Sequence, residues 1–175
     1  MNIKPIILIV PFDGYQQDEY ETIRTVLHNE HIEVKVASNK KGAAIAKDGS
    51  SCIIDYTIEQ ITPDICSGIM IIGGPGALEN LNTLKMHHII KQLYDHDIVM
   101  GAICISTRIL AHAGVLKNKK ATGWDGDGKL KELYDQHSIK KIDSPVVVDE
   151  NIITADGPQS AQLCGETVIK ILKNE

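Results

Sequence analysis

The sequence predicts an α/β protein: a mostly parallel central sheet with helices on both faces, a three-layer sandwich. Three observations carry this. Residues 5–10, 68–72 and 98–103 are short continuous apolar runs rich in Ile and Val, the signature of strands buried on both faces. Segments with helical apolar spacing alternate with them. Glycine-rich or polar breaks separate the two kinds of segment.

Taken in order, residues 5–10 form the first strand, and 18–29 a helix with Tyr20, Ile23, Val26 and Leu27 on one face. Residues 32–37 alternate as a second strand, and 43–54 read as a hairpin turning at Gly49-Ser50. Such an excursion from the sheet is suited to covering an edge or making a dimer contact. The strand at 68–72 ends in Gly73-Gly74-Pro75-Gly76. Helical spacing returns over 86–96, and the strand at 98–103 runs straight into Cys104. A helix follows over 107–113, stopped by Gly114. Residues 129–136 read as a short helix, 145–148 and 152–155 as strands, and 160–172 as a closing helix. No linker, repeat or low-complexity tract divides the chain, so one domain over 1–175 is expected.

Composition narrows the function. A formal net charge of -5 argues against a nucleic-acid partner, which needs clustered Lys and Arg. The one basic cluster, Lys117, Lys119 and Lys120, reads as a solvated turn. No apolar run is long enough to span a bilayer, and residues 1–10 lack the pattern of a signal peptide. A cytoplasmic protein with a small-molecule substrate and no membrane partner is therefore expected. The four cysteines form no CxxC pair and no zinc-finger spacing with histidine, so reduced thiols and no metal site are expected.

In an open α/β sheet, ligands bind beyond the carboxyl ends of the strands. Three loops lie there: 12–19, Gly73 to Gly76, and Cys104. A cysteine where a buried strand meets a helix is held exposed on a sharp turn. The peptide N–H groups at the helix start should stabilise negative charge there and lower the thiol pKa. Cys164 falls mid-helix on an apolar face and reads as core; Cys52 and Cys66 have no comparable setting. The glycine loop lacks the third Gly of a dinucleotide fingerprint and any following Walker lysine. It reads as a tight loop whose N–H groups can line an oxyanion site. Glu19 starts the first helix, but Asp13, Asp18 and Glu21 compete with it on local physics alone. The stretch Gly123-Trp-Asp-Gly-Asp-Gly128 lacks the Glu of a calcium loop and reads as a mobile surface loop. The seven histidines include no HExxH pair, and most read as solvated.

Three segments together resemble the ThiJ/PfpI superfamily, with its deglycase and PfpI-like branches. They are Ile71-Ile-Gly-Gly-Pro-Gly76; Ala102-Ile-Cys-Ile-Ser106 with Leu110-Ala-His-Ala-Gly-Val-Leu116 and Ala121-Thr122; and Ile152-Ile-Thr-Ala-Asp-Gly-Pro158 with Ser160-Ala161. The resemblance implies a flavodoxin-like, class I glutamine amidotransferase-like fold and a homodimer. It implies Cys104 as nucleophile, Glu19 as the protonated carboxyl beside it, and the N–H groups of Gly74 and Ile105 as oxyanion donors. Gly73, Pro75, Trp124 and Asp125 become pocket candidates. The implied activity is glyoxalase or deglycase action on α-oxoaldehydes such as methylglyoxal, without a cofactor. Ile105 follows the cysteine where PfpI-type proteases have His, and Trp124 stands near the position of the deglycase-type His. Both departures disfavour a protease. The Cys-Ile-Ser-Thr pattern is also similar to the isonitrile hydratase branch, and a non-enzymatic redox sensor of the stress response is a third alternative.

Overall fold

The computed structural model describes residues 4–173, so the two ends of the domain expected over 1–175 lie outside the described residues. The strands are β1 (Ile6–Ile9), β2 (Asp13–Tyr15), β3 (Val34–Ser38), β4 (Ala43–Ala46), β5 (Ser51–Ile53), β6 (Tyr56–Thr57), β7 (Gly68–Ile71), β8 (Val99–Ile103), β9 (Lys120–Ala121), β10 (Lys140–Lys141), β11 (Val146–Asp149) and β12 (Ile152–Ala155). The helices are α1 (Gln17–Asn29), α2 (Ala77–Leu81), α3 (Leu84–Tyr94), α4 (Thr107–Ala113), α5 (Leu130–Gln136) and α6 (Ala161–Lys173). One seven-stranded sheet has the order β11-β12-β8-β7-β1-β3-β6. Its pairings are parallel except for β11, which runs antiparallel to β12.

The pleat divides the apolar runs between two cores. Ile7, Ile9, Ile69, Ile71, Met100 and Ala102 face α3, α4 and α5, while Ile6, Leu8, Met70 and Ile103 face α1 and α6. Each strand is buried on both sides because each successive side chain enters a different core. Gly101 serves this layering: a Cβ there would lie 2.2 Å from Met70 Sδ, so its absence lets the methionine fill the space.

Helix ends follow local chemistry. Thr83 Oγ1 accepts the Met86 N–H at the start of α3, as an N-cap hydroxyl does. Gly114, in the left-handed region at φ 83°, ends α4. The predicted strand at 32–37 begins two residues later in the structure, because Ile32 still closes α1 by donating its N–H to Leu27 O.

The hairpin is present as β4 and β5. Strand β4 also pairs in parallel with β2, making a three-stranded sheet outside the main one. The basic turn differs from its reading. Lys119 is buried, ion-paired to Glu150 and stacked over Tyr94. Three of the seven histidines also differ. His87, His112 and His137 are half-buried and in ring contact, with centroids 6.2 and 5.3 Å apart, and the Asn82 amide bonds both His87 and His112. Burial holds His87 and His112 below the usual imidazole pKa. None of the described helices is long and apolar enough to cross a membrane.

Candidate active site

Strands β1, β7 and β8 end side by side, so the loops after them meet at one edge of the sheet. Cys104 follows β8 directly and has φ +61°. A non-glycine residue with positive φ is uncommon and requires support from its surroundings. Here the support is specific. Thr107 Oγ1 donates to Cys104 O, and so does the Trp124 N–H. Ser106 Oγ donates to Ile72 O at the end of the neighbouring strand. The turn is thus tied to β7, α4 and the 123–128 loop. Cys104 is half-buried, whereas Cys52, Cys66 and Cys164 are buried.

Glu19 lies in the first turn of α1 and is fully buried. Its Oε2 accepts the Gly73 N–H at 2.8 Å, and the Cys104 side chain lies beside the carboxyl across Gly73, close enough for each to affect the other's titration. Gly73 makes this approach possible. A Cβ there would stand 2.7 Å from Cys104 Cβ and 2.8 Å from Glu19 Oε2. Gly74, at φ +126°, turns the loop where a Cβ would meet Gly14 O at 2.3 Å. The peptide N–H groups of Gly74 and Ile105 favour a negative charge on the Cys104 sulfur.

Burial pushes the Glu19 carboxyl up to about 7, against the pull of the Gly73 N–H and the thiol. The expected lowering of the Cys104 pKa does not survive. The two peptide N–H groups act in that direction, but burial and the Glu19 carboxylate outweigh them and push the thiol up to about 12. The two groups behave as one acid that gives up a first proton far more readily than a second.

A cavity of about 290 Å³ opens at the sulfur, lined by Gln16, Lys47, Gly74, Pro75, Ile105 and Trp124. Gly73 lies beneath it, between Cys104 and Glu19. Asp125 is not brought to the sulfur. Its Oδ1 accepts the Leu130 N–H at the start of α5, and its Oδ2 lies 3.6 Å from Lys141 Nζ, on the far side of Trp124. The 123–128 loop is anchored rather than mobile. The buried Arg108 makes a bidentate ion pair with Asp127 at 2.6 and 3.0 Å, donates to Trp124 O at 3.3 Å, and stacks on the Trp124 ring. Among the described residues, no group of three or more His, Cys, Asp or Glu side chains is placed to hold a metal ion.

Gln16, Lys47 and Arg108 were not singled out by the sequence. Gln16 and Lys47 reach the cavity through the pairing of β2 with β4, and three-residue strands carry no readable periodicity. Arg108 carries a sequence signal: a charged residue inside the apolar face of α4 needs a counter-charge, and Asp127 lies 19 residues on, in the loop after β9.

The geometry agrees with what the chain is similar to. An uncharacterized protein of Methanocaldococcus jannaschii is 35% identical over 98% of this chain and 83% of its own length. A deglycase of Pyrococcus furiosus is 27% identical over 89% of this chain and 95% of its own. Other relatives bear the names deglycase or glutathione-independent glyoxalase. The crystal structure of a ThiJ/PfpI domain protein from Brachyspira murdochii superposes with a TM-score of 0.93, covering 100% of this chain and 99% of that one at 21% identity. The sequence matches the DJ-1/PfpI family across residues 5–171, and the chain belongs to that family.

Proposed function

We propose that this protein is a cofactor-independent glyoxalase or deglycase acting on α-oxoaldehydes, with methylglyoxal as the simplest substrate. The observation that carries this reading is the Cys104–Glu19 pair, a half-buried thiol beside a buried carboxyl, flanked by the peptide groups of Gly73, Gly74 and Ile105. The deglycase and glyoxalase names of the relatives support it.

The chemistry needs one nucleophile, one proton carrier and one anion hole. The Cys104 sulfur adds to the aldehyde carbon while the carbonyl oxygen, facing Gly74 and Ile105, takes up a proton; the product is a hemithioacetal. Glu19 then takes the proton from the former aldehyde carbon and returns one to the neighbouring ketone carbon. The first carbon is oxidised to a thioester and the second reduced to an alcohol, so no external oxidant enters. Water cleaves the thioester, releasing the 2-hydroxy acid and restoring the thiol. A carboxyl with a pKa of about 7 serves both directions of proton transfer at neutral pH.

Lactate formation from methylglyoxal tests the reading. Wild type should form lactate and Cys104→Ser should form none; full activity in the serine variant would end the proposal.

A second reading rests on the exposure pattern. Cys104 alone of the four thiols is only half-buried, and its turn offers N–H donors to an oxidised sulfur. In a peroxide sensor, two peroxide molecules would convert the thiol to a sulfinate and be reduced to water. Intact mass after mild peroxide treatment decides: oxidation confined to Cys104 supports it, and an unmodified Cys104 opposes it.

A further inference from the structure

The cavity wall divides by chemistry. Pro75, Ile105 and Trp124 form an apolar side. Two long polar side chains, Gln16 and Lys47, line the cavity as well. Lys47 is the one charged side chain among the described residues that line the cavity. It sits in the turn of the β4–β5 hairpin, and its N–H donates to Tyr15 O at 2.9 Å. That bond fixes the backbone of Lys47 beside the residue preceding Gln16. The ammonium acts on the site from there, favouring the ionised form of Glu19.

Gln16 is buried, with its N–H held by Gly73 O at 2.9 Å. Its Oε1 is buried without a hydrogen-bond partner. An amide is rarely left so, because burial removes the water that would otherwise bond it. Its oxygen and nitrogen are interchangeable by a flip, so the group can receive a hydroxyl or donate to an oxygen. A cation beside a buried amide whose oxygen lacks a partner, both lining one small cavity, is complementary to an anion that also bears a hydroxyl or carbonyl.

We propose that Lys47 and Gln16 form an anion-selecting subsite beside Cys104, which among α-oxoaldehydes and their 2-hydroxy acid products holds the carboxylate-bearing ones more tightly; neutral methylglyoxal reacts without using it. This rests on the reading of Cys104 as the reacting group and names the substrate class of that site. The whole chain carries a net charge of -5, so attraction of an anion to this cavity must come from a local charge. Lys47 is exposed, which makes the attraction modest and salt-sensitive.

Two alkylating agents of matched size test it: iodoacetate, an anion, and iodoacetamide, its neutral analogue. The ratio of their rates at Cys104 cancels the amount of thiolate, so it reads the subsite alone. Lys47→Met should lower the iodoacetate-to-iodoacetamide ratio about 5-fold at low salt, Lys47→Arg should keep it, and high salt should shrink the difference. Protection of Cys104 from iodoacetamide separates the two residues. Lactate should protect wild type better than acetate does. Gln16→Leu should bring lactate down to the level of acetate, and Lys47→Met should weaken both. A ratio unchanged in Lys47→Met overturns the subsite, and equal protection by lactate and acetate in wild type removes Gln16 from it. None of these readouts needs turnover. If methylglyoxal gives no lactate while the ratio responds to Lys47, the reaction falls and the subsite stands; the reverse pattern removes the subsite alone.

Discussion

Glu19 Oε2 accepts the peptide N–H of Gly73 at 2.8 Å, while Oε1 is buried without a hydrogen-bond partner. A carboxyl with one oxygen already receiving a proton donor carries its own proton on the other. The Cys104 side chain lies next to the same carboxyl across Gly73, and the two groups influence each other's titration. When the pair loses one proton, the charge has two resting places. The Gly73 N–H favours the carboxylate. The N–H groups of Gly74 and Ile105 favour the thiolate. Glu19 and Cys104 are therefore expected to share their first proton loss.

Alkylation of Cys104 by iodoacetamide should follow this shared titration. The rate should rise with a midpoint near 7, where burial sets the first proton loss of the pair. It should then level off, because only part of the charge is on sulfur, and climb again toward about 12. Glu19→Gln removes the shared proton, so the step near 7 should vanish. An identical single rise at ordinary thiol pH in both proteins would refute the coupling.

The same shift makes stability depend on pH. The folded Glu19 pKa of about 7 lies above its ordinary value of 4.5, so the folded state binds the proton more tightly than the unfolded chain. The stabilisation is complete below about 4.5 and is lost as pH rises through about 7, amounting to about 3 kcal/mol. Proton counting is indifferent to which atom of the pair holds the charge. In urea unfolding, wild type should weaken between pH 5 and pH 8 more than Glu19→Gln does. Equal pH dependence in the two would place Glu19 outside the buried pair.

Gly73→Ala should separate the pair while both Cys104 and Glu19 keep their own side chains. The added Cβ would lie 2.7 Å from Cys104 Cβ, 2.8 Å from Glu19 Oε2 and 3.1 Å from Ile103 O. Two of these neighbours are backbone or near-backbone atoms that cannot swing away. Overpacking of this kind costs about 2 kcal/mol. A folded variant, checked by urea unfolding, should therefore lose the alkylation step near pH 7. Retention of that step would mean that Gly73 is not the spacer.

How far the sequence reveals this site depends on the range of the interactions that build it. The strand leading to Cys104 and the helix after it are local patterns, and both appear where the apolar spacing places them. The positive φ of Cys104 is not local, since it is imposed by bonds from Thr107 and Trp124. Glu19 was indistinguishable from Asp13, Asp18 and Glu21 by helix-dipole arguments. What separates it is complete burial beneath Gly73, a property of the assembled sheet; Asp13, Asp18 and Glu21 are exposed. Lys47 carries no local signal of a site, and only the pairing of β2 with β4 brings its turn over the cavity.

The clamp on Trp124 gives a last test, independent of the thiol. Trp124 is the one tryptophan in the chain, and its ring is held at the cavity by Arg108, whose guanidinium is fixed in turn by Asp127. Replacing Asp127 with Asn removes the counter-charge of a buried cation, a costly change because the charge is left without its partner. Arg108 would then move toward water and release the loop. Tryptophan emission should shift to the red, and quenching by acrylamide should increase. The Arg108 guanidinium pulls the Asp127 carboxyl down to about 2. Its stabilising charge is present above its ordinary pKa and is lost only as pH falls through about 2, so wild-type emission should stay constant from pH 8 to pH 5. Cys104 alkylation should change as well, since the Trp124 N–H bonds Cys104 O. Unaltered emission in Asp127→Asn would show that the loop is held by its other contacts and that Arg108 does not position the cavity wall.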